Sequence, residues 1–314
     1  MGTVFAACSK LPSRLLNRTF VGLSQLLLLI FLASNGLSAA PANNSTASAP
    51  AVLTAAPELQ TGFRFLYEQN FPEARHTFFD WEEGHPDDPL GHAALAASYL
   101  FEEFYRQGVL SSGFFLDDEE LLRGIRGTPD PSRLKAFNAA IDRTRTKARA
   151  RMAHDTRDPE AIFALALASG MQADALAILE HKQSESVRYI KEAKIEAERL
   201  PVRHPEAADA WLALGAAHYI IVCLPRSAHF LLWFGGIHGD RNRGMEELDR
   251  TATDGLYLKP FAKIMLALAA RREGRDGVAR DLLCELSEEF PSSPLFAIEY
   301  ARVTAVVASA GKPQ

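Results

Sequence analysis

Residues 59–89 read LQTGFRFLYEQNFPEARHTFFDWEEGHPDDP, and three spacings within them decide the fold. Gly62 stands three places before Phe65, Ala74 four before Phe78, and Pro86 twelve after Ala74. A small residue lets two helices approach closely, a large one fills the gap beside it, and a proline stops the second helix. The Ala-to-Pro spacing of twelve recurs from Ala193 to Pro205 and from Ala279 to Pro291. Around these positions the apolar residues follow the helical period. Phe261, Ile264, Met265 and Leu268 fall at i, i+3, i+4 and i+7, and Val278, Leu282, Leu286 and Phe290 recur every four. Helix starts are marked by Asp158-Pro159-Glu160, Asp130-Pro131 and Phe71-Pro72-Glu73. Sustained two-residue alternation, the mark of a half-buried strand, is missing beyond Glu58.

Trp211, Leu214 and Gly215, with Tyr219 one place late, complete a pattern: W-x2-L-G-x2-Y, then A-x3-F, then Pro. From about residue 58 to its end the chain therefore resembles the tetratricopeptide repeat family. The resemblance implies an all-α fold of stacked antiparallel helix pairs wound into a right-handed superhelix. The boundaries predict five pairs, 58–87, 90–155, 159–203, 206–256 and 260–291, with a capping helix over 294–309. Together they make one elongated array within the about 270 residues that follow position 42. Gly62, Ala74, Pro86, Ala193, Pro205, Trp211, Gly215, Ala279 and Pro291 are its repeat-structural residues. Several pairs exceed the usual unit. The second has a long connection over 108–131, the third a first helix running to about 183, and the fourth an insertion at 224–239. In that fourth pair Gly244 takes the alanine's place.

A second string lies outside the generic repeat: Leu224-Pro225, Gly236-Ile237-His238-Gly239-Asp240-Arg241, Gly244 and Leu248, then Gly255-Leu256-Tyr257-Leu258 and Phe290-Pro291 with Pro294-Leu295-Phe296. It is similar to a variant group of exported bacterial tetratricopeptide proteins. More loosely, it resembles a eukaryotic mitochondrial outer-membrane repeat family linked to inclusion-body clearance. Both resemblances imply protein association without catalysis.

Ahead of this body, residues 1–42 hold three basic residues and no acid, and 20–33 (FVGLSQLLLLIFLA) are apolar. The order of basic, apolar and small-residue regions reads as a secretory signal, with Ala40-Pro41-Ala42 offering cleavage before Asn43. The alternative is an uncleaved anchor, but an apolar core of 14 residues falls short of the ~20 that span a bilayer. The chain is thus expected to be exported, periplasmic or secreted, with anchoring through 20–33 as the rival. Residues 43–57 (NNSTASAPAVLTAAP) carry no charge and read as a flexible linker. Removing the leader takes the formal charge from −5 to −8. That excludes generic binding to nucleic acid or anionic lipid, while 47% apolar content excludes a disordered chain. Three cysteines, one of them in the leader, cannot build a disulfide-dense scaffold.

Candidate sites follow from the register. The first helices of the pairs would line a concave groove, placing Phe63, Tyr67, Asp209, Tyr219, Arg271 and Arg272 towards a protein or peptide partner. The insertion offers Phe230, Trp233 and Phe234 as a second contact, or as a short helix packed into that groove. Cys223, His229, His238 and Asp240 match no zinc spacing, and Gly235-Gly236-x-x-Gly239 lacks the Gly-Lys-Ser/Thr of a phosphate loop. Asp240 reads instead as a helix N-cap. Hydrolase frames are missing, and the run Asp117–Glu120 reads as acids at a helix start. The expectation is a non-enzymatic scaffold with no cofactor, metal or nucleic acid. Its rivals are a membrane-associated assembly factor, held by 20–33 or 230–234, and a hydrolase or small-ligand binder with a site between helices.

Overall fold

Among residues 53, 55–203, 207–223 and 240–310, which the computed structural model describes, every regular element is helical. The leader, most of the linker, Pro205 and the insertion with Phe230, Trp233 and Phe234 lie outside the described residues. The helices are α1 (Pro57–Tyr67), α2 (Phe71–Gly84), α3 (Pro89–Arg106), α4 (Ser112–Leu116), α5 (Asp118–Arg123), α6 (Pro131–His154) and α7 (Pro159–Asp174). They continue with α8 (Gln183–Arg203), α9 (Trp211–Cys223), α10 (Arg241–Asp254), α11 (Lys259–Arg272), α12 (Asp276–Glu289) and α13 (Pro294–Ala310). A π-turn, Ala175–Leu179, extends α7, and a 3-10 turn, Ala208–Ala210, leads into α9.

Capping explains the starts. Asp88 accepts the amides of Leu90 and Gly91, Asp130 those of Ser132 and Arg133, Asp158 that of Ala161, and Asp240 that of Arg243. A proline in the first turn of α3, α6 and α7 fits where no intrahelical donor is needed. The helices then pack as α1 on α2, α3 on α6, α7 on α8, α9 on α10 and α11 on α12, with α13 over α12. Small residues sit at the crossings. Ala74 and Ala279 are wholly buried, and a Cβ at Gly62 would come within 2.3 Å of the Phe78 ring. At α9 and α10 the contact is backbone to backbone. A Cβ on Gly215 would lie 2.8 Å from the Leu248 nitrogen, and one on Gly244 would lie 2.8 Å from the Tyr219 nitrogen.

Among the described residues one helical stretch, Pro159–Leu179, is long and apolar enough to cross a membrane by composition, but 61% of its most apolar window is buried inside the molecule. It is the central helix of the third pair, packed on α3, α6 and α8. Gly170 lies in its interior with no atom within 4 Å of where a Cβ would stand. Gly170→Ala should therefore stabilise the chain by about 0.5–1 kcal/mol through helix propensity alone. That is a rise in Tm of about 1–4 °C, and thermal denaturation that shows a fall instead would mean the site is crowded.

The array is not elongated as its repeat pattern predicts, because the first pair meets the last. The Phe63 and Tyr257 rings lie 5.0 Å apart, Tyr67 and Phe290 5.5 Å, and Phe101 and Phe261 6.1 Å. Tyr67 Oη donates to the Tyr257 carbonyl at 2.9 Å, and Arg64 Nη2 to the Glu289 carbonyl at 3.0 Å. The Ala56 amide donates to Tyr257 Oη at 3.3 Å, and Ser293 Oγ to Gln69 Oε1 at 2.8 Å. Leu53 and Ala56 are buried, so the packed body starts inside the segment that composition reads as linker.

Tyr257 is 1% exposed, and burial, aided by the charges of Asp88, Glu160 and Asp209, pushes its phenol up to about 12. A folded value above the ordinary 10 means that the native state holds this proton more tightly than the unfolded chain. The stabilisation is whole below pH 10 and is lost as pH rises from 10 towards 12, on the order of 2 kcal/mol in all. Urea denaturation should show wild type losing stability more steeply than Tyr257→Phe over that window, and parallel curves would contradict the assignment.

Candidate functional site

The six groove residues are all placed by the structure, and each is committed to contacts within the chain. Phe63 is buried between Phe78 and Tyr257. Tyr67 is half-buried against Phe290, and burial together with the Asp209 charge raises its phenol well above the ordinary range. Tyr219 is buried, with its hydroxyl 3.2 Å from the Ala269 carbonyl and 3.3 Å from Glu273 Oε1. Through these contacts the three positions join the first, fourth and fifth pairs.

Asp209 stands in the 3-10 turn before α9, and its carboxylate faces the turn before α11. Oδ2 accepts the Leu256 amide at 2.8 Å, while Oδ1 accepts those of Tyr257 at 3.1 Å and Leu258 at 2.6 Å. Burial pushes its pKa up against the pull of these donors. The residue builds the turn that presents Tyr257 to Phe63 and Tyr67. Register alone assigned it to the groove, because nothing local in the sequence links it to a turn almost fifty residues away.

Arg271 and Arg272, at the end of α11, meet the long connection 108–131 that the sequence treated only as an interruption. Arg272 Nη2 donates to the Phe115 carbonyl at 2.6 Å and to Asp118 Oδ1 at 2.8 Å. Arg271 donates through Nε to Asp276 and through Nη1 to Ser112 Oγ, both at 3.3 Å. The Ser112 hydroxyl donates in turn to Glu299, which is buried on α13 and also holds Arg302 at 2.7 Å. Three guanidiniums and three carboxylates thus converge where the second pair, the fifth pair and the capping helix meet. Sequence reasoning found Arg271 and Arg272 but missed Ser112 and Glu299. The acidic run at 117–120 was the available signal, and Asp117 does cap α5 as its position predicts.

The charge clusters on α3 and α10 are structural. Glu103, buried on α3, accepts from Arg133, Gln107 and the Asp130 amide, while Glu102 pairs with Arg75 at 2.6 Å and Arg133 at 3.1 Å. They pin the start of α6 to α3. Glu247 holds His218 at 2.6 Å and Arg243 at 2.9 Å across the fourth pair. Trp211 carries Arg250 over its ring at 4.8 Å. Cys284 is free and half-buried. Among the described residues no three His, Cys, Asp or Glu side chains are grouped so as to hold a metal. A cavity of about 260 Å³, lined by Arg106, Gln107, Ser111, Phe114 and Gly124 among others, opens behind α4 and α5. Against known proteins, no family model, no curated protein and no solved structure matches the chain.

Proposed function

We propose that the chain is a tetratricopeptide-like array, its pairs wound in a right-handed sense, and that it acts as an exported scaffold for protein association without catalytic chemistry of its own. The observation that carries this reading is the order of packing. Each helix pair expected from the repeat spacing packs on itself and then on the next, from α1 to α13. Such stacking presents broad side-chain surfaces, which suit a protein partner. The leader-like start supports passage out of the cytoplasm. The exposed rim of the polar cluster, Asp118 and Arg275 beside Arg272, is where we place the partner, because charge from three parts of the chain gathers there. A photo-crosslinking residue at Arg275, exposed beside that cluster, tests the reading in extract of the native host. The expected result is one protein adduct that saturates and is competed by unlabelled chain. Adducts that do not compete, or none, would reject it.

A further inference from the structure

Residues 143–151 of α6 hold five basic residues and no acid, in a chain whose formal charge is −5. Part of the positive charge on this helix is answered by neighbouring segments. Arg133 meets Glu102 at 3.1 Å, Lys147 meets Asp87 at 3.0 Å, and Arg151 meets Asp158 at 2.6 Å and Glu160 at 3.0 Å. Arg145 is left out of this pairing although it is half-buried: its Nη2 is sealed from solvent and has no hydrogen-bond partner. A sealed donor without an acceptor is a cost to the folded chain. The Arg145 guanidinium lies 4.7 Å from the centre of the Tyr189 ring on α8, and that of Arg188 lies 4.5 Å from the same ring. Arg188 also donates to the Tyr189 hydroxyl. Its ion pair with Glu192 spans 3.8 Å with the arginine side chain 67% exposed, so water screens it. Arg149, one turn after Arg145, is exposed and forms no ion pair among the described residues. Asp142, one turn before Arg145, is exposed and pairs with neither arginine. Like charges one turn apart on a helix repel. The fold thus gathers three guanidiniums, one with an unused donor, and sets one screened carboxylate at their edge.

We propose that Arg145, Arg149 and Arg188, gathered about Tyr189 where α6 meets α8, dock a short acidic segment of a partner protein whose carboxylates stand at alternate positions of an extended chain. The site goes beyond the association reading above, whose partner sits at Arg275, and the two surfaces share no residue. Guanidiniums suit carboxylates because their paired N–H donors match the two oxygens. A carboxylate oxygen would also be the acceptor that Arg145 Nη2 lacks. Arg145 and Arg149 are separated by about 6 Å along the helix axis, close to the roughly 6.5 Å between alternate side chains of an extended chain. The remainder of the chain selects among anions. Its net negative charge repels a long polyanion such as nucleic acid or an anionic membrane, whereas a short segment feels chiefly the charges within ~8 Å of it.

The probe is a blocked peptide, acetyl-Glu-Ser-Glu-Ser-Glu-amide, titrated into the full chain and read by calorimetry. Wild type should bind it saturably at one site, and a peptide with serine in place of every glutamate should not bind. Arg145→Gln and Arg149→Gln should each weaken binding about tenfold. Tyr189→Leu keeps every charge and removes the ring that holds two of them, so it should weaken binding at least threefold. Lys135→Gln takes an equal charge from the exposed start of the same helix and should leave the affinity unchanged. No saturable binding, an equal loss from Lys135→Gln, or an affinity indifferent to Tyr189→Leu would each overturn the proposal by showing charge without a site. Tighter binding of single-stranded DNA or of anionic vesicles would overturn it in favour of those partners. Arg149 is exposed, so Arg149→Gln keeps the test decisive even where the variants at Arg145 and Tyr189 fail to fold. A competed crosslink at Arg275 without peptide binding would remove this inference and leave the association reading standing, and peptide binding without a competed crosslink would do the reverse.

Discussion

Gly244→Val should lower the melting temperature by roughly 6–12 °C. The two valine methyls would enter the place where α9 and α10 touch backbone to backbone. A Cβ there would lie 2.8 Å from the Tyr219 nitrogen and 2.9 Å from the Gly215 carbonyl oxygen. Neither atom is the free end of a side chain, so relief needs the helices to part. Parting them strips contacts from Leu248, which is fully buried, and opens the pair around Glu247. Overpacking of this kind costs about 1–3 kcal/mol and more where backbone must move, and a chain of this size loses about 2–4 °C per kcal/mol. The measurement is thermal unfolding by circular dichroism with Trp211 fluorescence as a local report. An unchanged Tm would mean the crossing is looser than described.

Asp209→Ala should cost about 3–5 kcal/mol, because it leaves the amides of Leu256, Tyr257 and Leu258 without their acceptor in a buried turn. The damage should not stay local. That turn positions Tyr257, whose ring meets Phe63 and whose carbonyl receives the Tyr67 hydroxyl. Amide exchange should therefore quicken at 256–258 and also at 63–67. Asp209→Asn keeps one carbonyl oxygen able to accept two of the three amides, so its loss should be the smaller of the two. Unchanged protection at 256–258 in the alanine variant would show that the turn holds itself.

Local signals explain why the helices were readable from the sequence. The prolines and aspartates that cap α3, α6 and α7 act through neighbours two or three places away, and the small residues at 74, 193 and 279 each stand twelve places before a proline. The closure of the first pair on the last left no such trace. Tyr67 and Tyr257 are 190 residues apart, the one reading as an ordinary aromatic on a helix face and the other as part of a connection between pairs. The same reason hid the candidate site. Arg271 and Arg272 could be placed by register, but their partners Ser112, Asp118 and Glu299 come from a connection and a capping helix with no periodic relation to them. Asp209 shows the converse: register assigned it to the groove, whereas its carboxylate is claimed by a turn nearly fifty residues later.

Closure also changes how the molecule should come apart. An open stack of helix pairs unravels from its ends, each unit failing nearly on its own. Here the amide of Ala56 is held by the turn before α11 and the ring of Tyr67 by Phe290 at the end of α12, so neither end is free to peel away. Folding must then bring together segments some 200 residues apart before those bonds form, which slows the search while making the finished chain melt as one body. Clipping α1 or α13 should accordingly abolish the whole transition where an open stack would only be shortened. The chain has the parts of a ladder and the mechanics of a hoop.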